Sequence, residues 1–385
     1  MSEIVAEDHP PAGPQQAGRP PRILILTTDI GEGHDLPARQ LAEGLEKESP
    51  GAQVAIADGL AAMGRILNKV IKDQSRVIFK MPTWVWNIEH YLAIHWPPTR
   101  WLGKTLNYLL GSRGLMRLIR SHDPDVVVST YPGTTMVLGM LRLRGRLHAP
   151  TVAAITDLAE LRYWAMPGVD MHLVTHDESI PEVLGLAPDT DVRWVRGLTS
   201  PGFTEPVDPA AGRREFGLPE GVPVVVVSGG GWGVGDLEGA VREALALPGS
   251  HVVILCGRNE ELEARMEAAF GDEQRVHVSG FTNKMSELFA AADVLVHSTA
   301  GLTVLEAHIR GCRVISYGWG VAHIRANNRA FVQHRIAYVA KTRPQLAAAL
   351  RHAVAERGEP VHETYAALPS AASAVLDALP ARRAV

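Results

Sequence analysis

The sequence predicts an α/β protein built from two doubly wound, Rossmann-like domains that face each other across a cleft. Three observations carry this. Two runs, R-I-L-I-L-T-T at 22–28 and V-V-V-V-S at 224–228, are too continuously apolar for half-exposed strands and read as parallel strands buried on both faces. Each runs into a glycine-bearing loop and then an amphipathic helix, and further strands alternate with helices behind it. The 385-residue length accommodates two such units, each with its own core.

Composition narrows the function. Hydrophobic content of 46% and charge of 21% suit a globular enzyme, and a net charge of −4 argues against a general nucleic-acid binder. The two cysteines, Cys256 and Cys312, sit in apolar runs, so neither a disulfide framework nor a cysteine metal site is expected. That composition fits a reducing cytoplasm. Sixteen histidines are scattered without ligand spacing, so no metal site is expected. Residues 1–20, with Pro10, Pro11, Pro14 and Pro20, read as a disordered tail and lack the apolar segment of a signal peptide. No apolar run is long enough to span a bilayer.

In chain order, the strand at 22–28 enters Asp29-Ile30-Gly31-Glu32-Gly33-His34, and a helix follows from A-R-Q-L-A-E-G-L-E-K. His34 stands at the loop–helix junction, where the helix dipole favours the neutral imidazole of a general base; a capping or packing role is the competing reading. Met63 to Arg120 is basic, with Asp73 and Glu89 as its acidic residues, and holds Trp84, Trp86, Trp96 and Trp101, half of the chain's eight tryptophans. Interleaved Trp, Leu and Arg/Lys suit an anionic membrane surface; a helical subdomain with core tryptophans is the alternative. D-V-V-V-S-T at 125–130 and T-V-A-A-I-T at 151–156 are further strands. Asp157 ends the second, on the edge where open α/β sheets bind ligands.

In the second half, Ser228 leads into the glycine loop Gly229-Gly230-Gly231-Trp232-Gly233-Val234-Gly235, and Asp236 caps the next helix. Strand, glycine loop and helix N-terminus together favour a phosphate. Strands follow at 251–257, 276–279 and 293–297, with Arg313–Tyr317 expected as the last of this sheet; helices follow at 285–291, 341–355 and 366–379.

The run I-L-I-L-T-T-D-I-G-E-G-H resembles the N-terminal loop of family-28 glycosyltransferases, which include monogalactosyldiacylglycerol synthases, diacylglycerol glucosyltransferases and the N-acetylglucosaminyltransferase of peptidoglycan synthesis. Gly31, Gly33 and His34 match that loop, with Glu32 in place of a glycine. The segments around T-D-L at 156–158, G-V-D-M-H-L-V at 168–174, C-G-R-N at 256–259 and S-T-A-G-L-T-V-L-E-A at 298–307 are similar too, and R-V-I-F-K-M-P-T-W-V-W-N-I-E-H-Y at 76–91 resembles the acceptor side of the glycolipid synthases. The likeness runs from about Pro21 to Ala355.

The resemblance implies the GT-B architecture, with an acceptor domain at 21–200, a nucleotide-sugar domain at 201–360 and a last helix within 361–385 returning to the first domain. It implies an inverting, metal-independent transfer of a hexose or hexuronic acid from a UDP-sugar to a lipid or polyprenyl hydroxyl, at the inner face of the cell membrane, without a cofactor. His34 would be the base, with Asp157 orienting it or the acceptor hydroxyl. Donor contacts would come from Gly229–Gly233, the turn Phe281-Thr282 at the uracil, Ala300-Gly301-Leu302-Thr303 at the diphosphate, Glu306 at the ribose hydroxyls, and Arg325 and Asn328 at the sugar. The chain departs from the family at 197–201, where the usual phosphate arginine is missing, and at Arg325, where the family has Gln or Glu. A guanidinium there implies either an acidic sugar or a replacement phosphate contact. A glycosyltransferase of a soluble natural product, a UDP-sugar 2-epimerase and a non-catalytic partner subunit are the competing readings.

Overall fold

The computed structural model describes residues 19–29, 32–78, 82–230, 233–318, 320 and 322–380. The tail at 1–18, Gly31, Gly231 and Trp232 lie outside the described residues.

Two six-stranded sheets, parallel throughout, form the frame. The first holds β1 (Arg22–Thr27), β2 (Gln53–Asp58), β3 (Val126–Ser129), β4 (Thr151–Ile155), β5 (Met171–Val174) and β6 (Asp191–Trp194), in the order β2-β1-β3-β4-β5-β6. Ile23 and Ile25 of β1 pack with Leu41 and Leu45 on one face, while Leu24 and Leu26 pack with Leu115 and Ile119 on the other. This is why the run is continuously apolar: successive side chains point to opposite faces and helices cover both.

The second sheet holds β7 (Val224–Ser228), β8 (His251–Leu255), β9 (Val276–Ser279), β10 (Val294–His297), β11 (Arg313–Tyr317) and β12 (Ala337–Ala340), in the order β12-β11-β10-β7-β8-β9. Val224 and Val226 meet Phe289 and Leu305 on one face, and Val225 and Val227 meet Leu237 and Val241 on the other. The strand order reverses between β1 and β3 in the first sheet and between β7 and β10 in the second. Such a switch point opens a crevice at the strands' carboxyl ends.

Three expectations are corrected. Arg313–Tyr317 is not the last strand, because β12 pairs outside it with Tyr317 opposite Ala340. Its A-Y-V-A is a short, mostly half-buried edge strand without the continuous aliphatic run of the others. The helix expected at 366–379 is two helices, His362–Ala366 and Ala371–Asp377. Pro369 breaks it, having no N–H and disfavouring a helical Leu368, and Ser370 then caps the second piece by accepting from the Ser373 N–H at 2.9 Å. The helix expected from Ala38 already starts at Glu32, so His34 lies in its first turn.

The helix Ala371–Asp377 packs on Glu32–Glu48 in the core of the first sheet. Arg196 anchors this return: its N–H donates to Pro369 O at 3.0 Å and its Nε to Leu368 O at 2.9 Å. Between β2 and β3 the chain makes a helical excursion through Arg65–Ile78, Thr83–His90, a π-turn at Tyr91–His95 and Pro97–His122.

Candidate functional site

The first switch point is built around His34. Its backbone carbonyl accepts from the hydroxyls of Thr27 at 3.0 Å and Thr130 at 2.9 Å, from the ends of β1 and β3. Its ring Nδ1 lies 3.0 Å from Thr130 O. A carbonyl only accepts, so Nδ1 carries the hydrogen and Nε2 of the neutral ring carries the lone pair. The Tyr131 ring stands edge-on at 5.2 Å and the buried Trp164 ring lies 5.7 Å away. Asp157 accepts the Trp164 indole N–H at 2.9 Å, so this carboxylate fixes the wall beside the imidazole.

At the second switch point two loops meet. The loop after β7 is closed by Val234 N–H to Gly229 O at 2.9 Å and by Gly230 N–H to Ser228 Oγ at 3.2 Å. At Gly235, with φ 104°, a Cβ would come within 2.4 Å of Ser298 Oγ, so only glycine lets this loop lie against the one after β10. His297 ties them from below. Its Nδ1–H donates to Ser228 O at 3.1 Å and its Nε2 accepts from the Thr299 hydroxyl at 2.7 Å. Burial lowers the His297 pKa to about 4, against a smaller opposing effect of the Ser228 bond, so the ring is neutral. Asp236 caps the helix Leu237–Leu245 by accepting from the Gly239 N–H at 2.9 Å.

Gly301, with φ 97°, is the N-cap of the helix Leu302–Ile309 and has no side chain to cap its first N–H groups. Glu306, in the same helix, is 5% exposed, and no hydrogen bond meets its carboxylate among the described residues. Burial pushes its pKa up to about 8. A buried carboxylate without donors is costly, and hydroxyl donors from a ligand would relieve that cost.

Two family models match the chain. "Monogalactosyldiacylglycerol (MGDG) synthase" matches residues 34–191 and "Glycosyl transferases group 1" matches residues 221–356. Monogalactosyldiacylglycerol synthase 1 of Arabidopsis thaliana is 27% identical over 86% of this chain and 64% of its own length. The processive diacylglycerol beta-glucosyltransferase of Staphylococcus saprophyticus is 24% identical over 75% of this chain and 73% of its own. The chain is thus similar over its first half to glycolipid synthases and over its second half to glycosyltransferases. It spans somewhat under two thirds of the plant synthase's length. In fold it is similar to MurG of Acinetobacter baumannii, with a TM-score of 0.56 and 16% identity over 94% of this chain and 99% of that one.

In this GT-B frame the remaining expected donor residues lie on several elements of the second domain. Ala300 packs against the second core, Leu302 is buried and Thr303 is half-buried. Phe281 is exposed and stacked under the Arg258 guanidinium at 4.0 Å, and Thr282 Oγ1 accepts the Lys284 N–H at 3.1 Å. Asn328 accepts from the Ser316 hydroxyl at 2.6 Å, which turns its amide oxygen toward β11. Arg325 is exposed, donates to Gly320 O at 3.3 Å, and lines a cleft with Asn87, His90, His95 and Glu160 of the first domain.

Several residues escaped sequence reasoning. Asn327, beside the expected Asn328, accepts the N–H groups of Leu158 at 3.1 Å and Ala159 at 3.2 Å, joining the second domain to the loop after Asp157. Thr130 and Trp164 hold and flank His34. The histidines, without ligand spacing along the chain, do converge in space: His90, His95 and Glu160 form one cluster. The excursion at 63–120 exposes Trp84, Ile88, Trp96, Trp101, Leu106 and Leu109 instead of burying them. Among the described residues no helix is long and apolar enough to cross a membrane.

Proposed function

We propose that this chain transfers a hexose or hexuronic acid from a UDP-sugar to the hydroxyl of a lipid or polyprenyl acceptor, with inversion, while resting on the cytoplasmic face of a membrane. His34 Nε2 takes the proton of the acceptor hydroxyl as its oxygen attacks the anomeric carbon. The bond from that carbon to the diphosphate breaks on the opposite face, which inverts the centre. UDP leaves with its charge met by N–H groups of the Gly229–Gly235 loop and the helix starting at Leu302, so this step requires no metal. Glu306 accepts the ribose hydroxyls, Phe281 and Thr282 flank the uracil, and Arg325 and Asn328 stand nearest the sugar. The observation that carries the lipid half of this reading is the exposure of Trp84, Trp96 and Trp101, in the same domain as His34. Basic Arg113, Arg117 and Arg120 are exposed on the same excursion, a composition that suits anionic headgroups.

The test is turnover with diacylglycerol in anionic vesicles and UDP-galactose, UDP-glucose or UDP-glucuronic acid in turn. The expected result is one UDP released per glycolipid formed, with the donor's α-anomer becoming a β-linkage. Conversion of a UDP-sugar without acceptor would replace this reading by an epimerase, and vesicle-independent glycosylation of a soluble acceptor by a natural-product enzyme. If no UDP-sugar raises the melting temperature, the chain is a non-catalytic partner, since saturation at 100 times Kd adds about 2.7 kcal/mol.

A further inference from the structure

The helix Thr83–His90 runs on into the π-turn Tyr91–His95, closed by Trp96 N–H to Tyr91 O at 3.1 Å. At 3.6 residues per turn, side chains five apart on an α-helix diverge by roughly 140°. The wider π-turn, with its i→i+5 bond, brings them closer to one face, and such turns concentrate at functional sites. Here it lets His90 and His95 reach the same partner: their Nε2 atoms lie 2.8 and 2.6 Å from the two carboxylate oxygens of Glu160. The Glu160 side chain is 8% exposed and its backbone is left-handed, φ 64° and ψ 48°, which is uncommon outside glycine. Glu182 clamps that turn by accepting the N–H groups of Glu160 at 3.1 Å and Leu161 at 2.8 Å. Two rare backbone states thus serve one three-residue cluster. A left-handed non-glycine residue is strained, and a partly exposed ion pair offsets little of that strain.

Two imidazoles and one carboxylate, with ligand atoms all within 4.8 Å of one another, form the donor set of a zinc site that keeps a position open. The cluster lines a cleft of about 270 Å³ that Arg325 and Arg329 of the second domain also line. Those guanidiniums disfavour a bare cation but complement an anionic oxygen on the open position. We propose that His90, His95 and Glu160 bind one zinc-class divalent ion whose open coordination position faces the interdomain cleft. The site is separate from the diphosphate loops and does not depend on the chain being a glycosyltransferase.

The full chain, stripped with chelator and desalted, is titrated calorimetrically with Zn²⁺, and its visible spectrum is recorded with Co²⁺. One ion per chain is expected, with the intense Co²⁺ bands of a tetrahedral site. His95→Ala and Glu160→Gln are expected to weaken binding at least about 100-fold, the upper range for losing even a supporting partner of a metal ligand. Their circular dichroism and their melting in chelator should match wild type. His251→Ala, which breaks the separate His251–His277 pair, should bind as wild type. The proposal is overturned by the absence of a stoichiometric ion, by an octahedral Co²⁺ spectrum, or by binding that survives both cluster variants. Should one variant misfold, the other decides.

Discussion

The two switch points occupy the same place in two sheets of the same kind, yet they treat their key side chain in opposite ways. In the first, strand-end threonines hold His34 through its backbone carbonyl and through its Nδ1. In the second, Glu306 is buried with no donor to its carboxylate among the described residues, and burial alone lifts its pKa. The first site is finished before a ligand arrives: tautomer and orientation are set. The second is left electrostatically incomplete, and hydroxyl donors from a ligand would complete it. The difference suits the proposed roles, since a general base must be positioned in advance whereas a ribose anchor gains affinity from the cost that the ligand removes.

The largest test of this contrast is His34→Ala. Losing a general base should lower the transfer rate about 10²- to 10⁴-fold while leaving the thermal shift with UDP intact. An equal loss of UDP binding would show that the two switch points are not separate.

Glu306→Gln should do the reverse, weakening UDP binding about 10- to 100-fold, the worth of one or two charge-assisted hydrogen bonds. Its stability effect has a definite sign. The folded pKa is raised from 4.5 to about 8, so the folded state holds the proton more tightly. The stability this brings is complete below pH 4.5 and lost as pH rises through 8. Melting curves of ligand-free wild type should therefore fall relative to Glu306→Gln between those pH values. Parallel curves would mean that the carboxylate is already satisfied.

The smallest effect concerns the outer surfaces, which differ as the sites do. Among the described residues past 200 the exposed large hydrophobics are Phe281 and Val332, whereas the excursion between β2 and β3 exposes Trp84, Ile88, Trp96, Trp101, Leu106 and Leu109 among others. Trp84→Ser with Trp101→Ser should weaken binding to anionic vesicles about tenfold, on the scale of ~1.5–3 kcal/mol for a fully buried large side chain and less for a partly inserted one. Turnover of a short-chain, detergent-dispersed acceptor should change little. Undiminished vesicle binding would assign this face to another partner.

Much of the frame was legible in the sequence. Doubly covered strands announce themselves as aliphatic runs, which is why β1, β3, β4, β7, β8 and β10 stand out. The edge strand β12 does not, because a short, half-covered strand has no such run. Pro369 was readable as a helix break, but the apolar residues on both sides of it suggested one long helix. At the sites, His34 and the glycine loops stand out because each belongs to a local pattern of strand, loop and helix start, whereas Glu306 stands out only through the resemblance. Asn327, Thr130 and Trp164 are not, since their work is done across gaps of many residues.

The sequence by itself determined two Rossmann-like units and their glycine turns, because hydrophobic period and turn chemistry are local properties of the chain. Only the tertiary structure decided which tautomer His34 holds, that Glu306 is buried without a donor, that Trp84, Trp96 and Trp101 of the excursion are exposed, and that His90 and His95 meet Glu160. Each depends on which distant groups share a dielectric environment or a hydrogen bond. Spacing along the chain carries no record of that, as the separation of 65 positions from His95 to Glu160 shows.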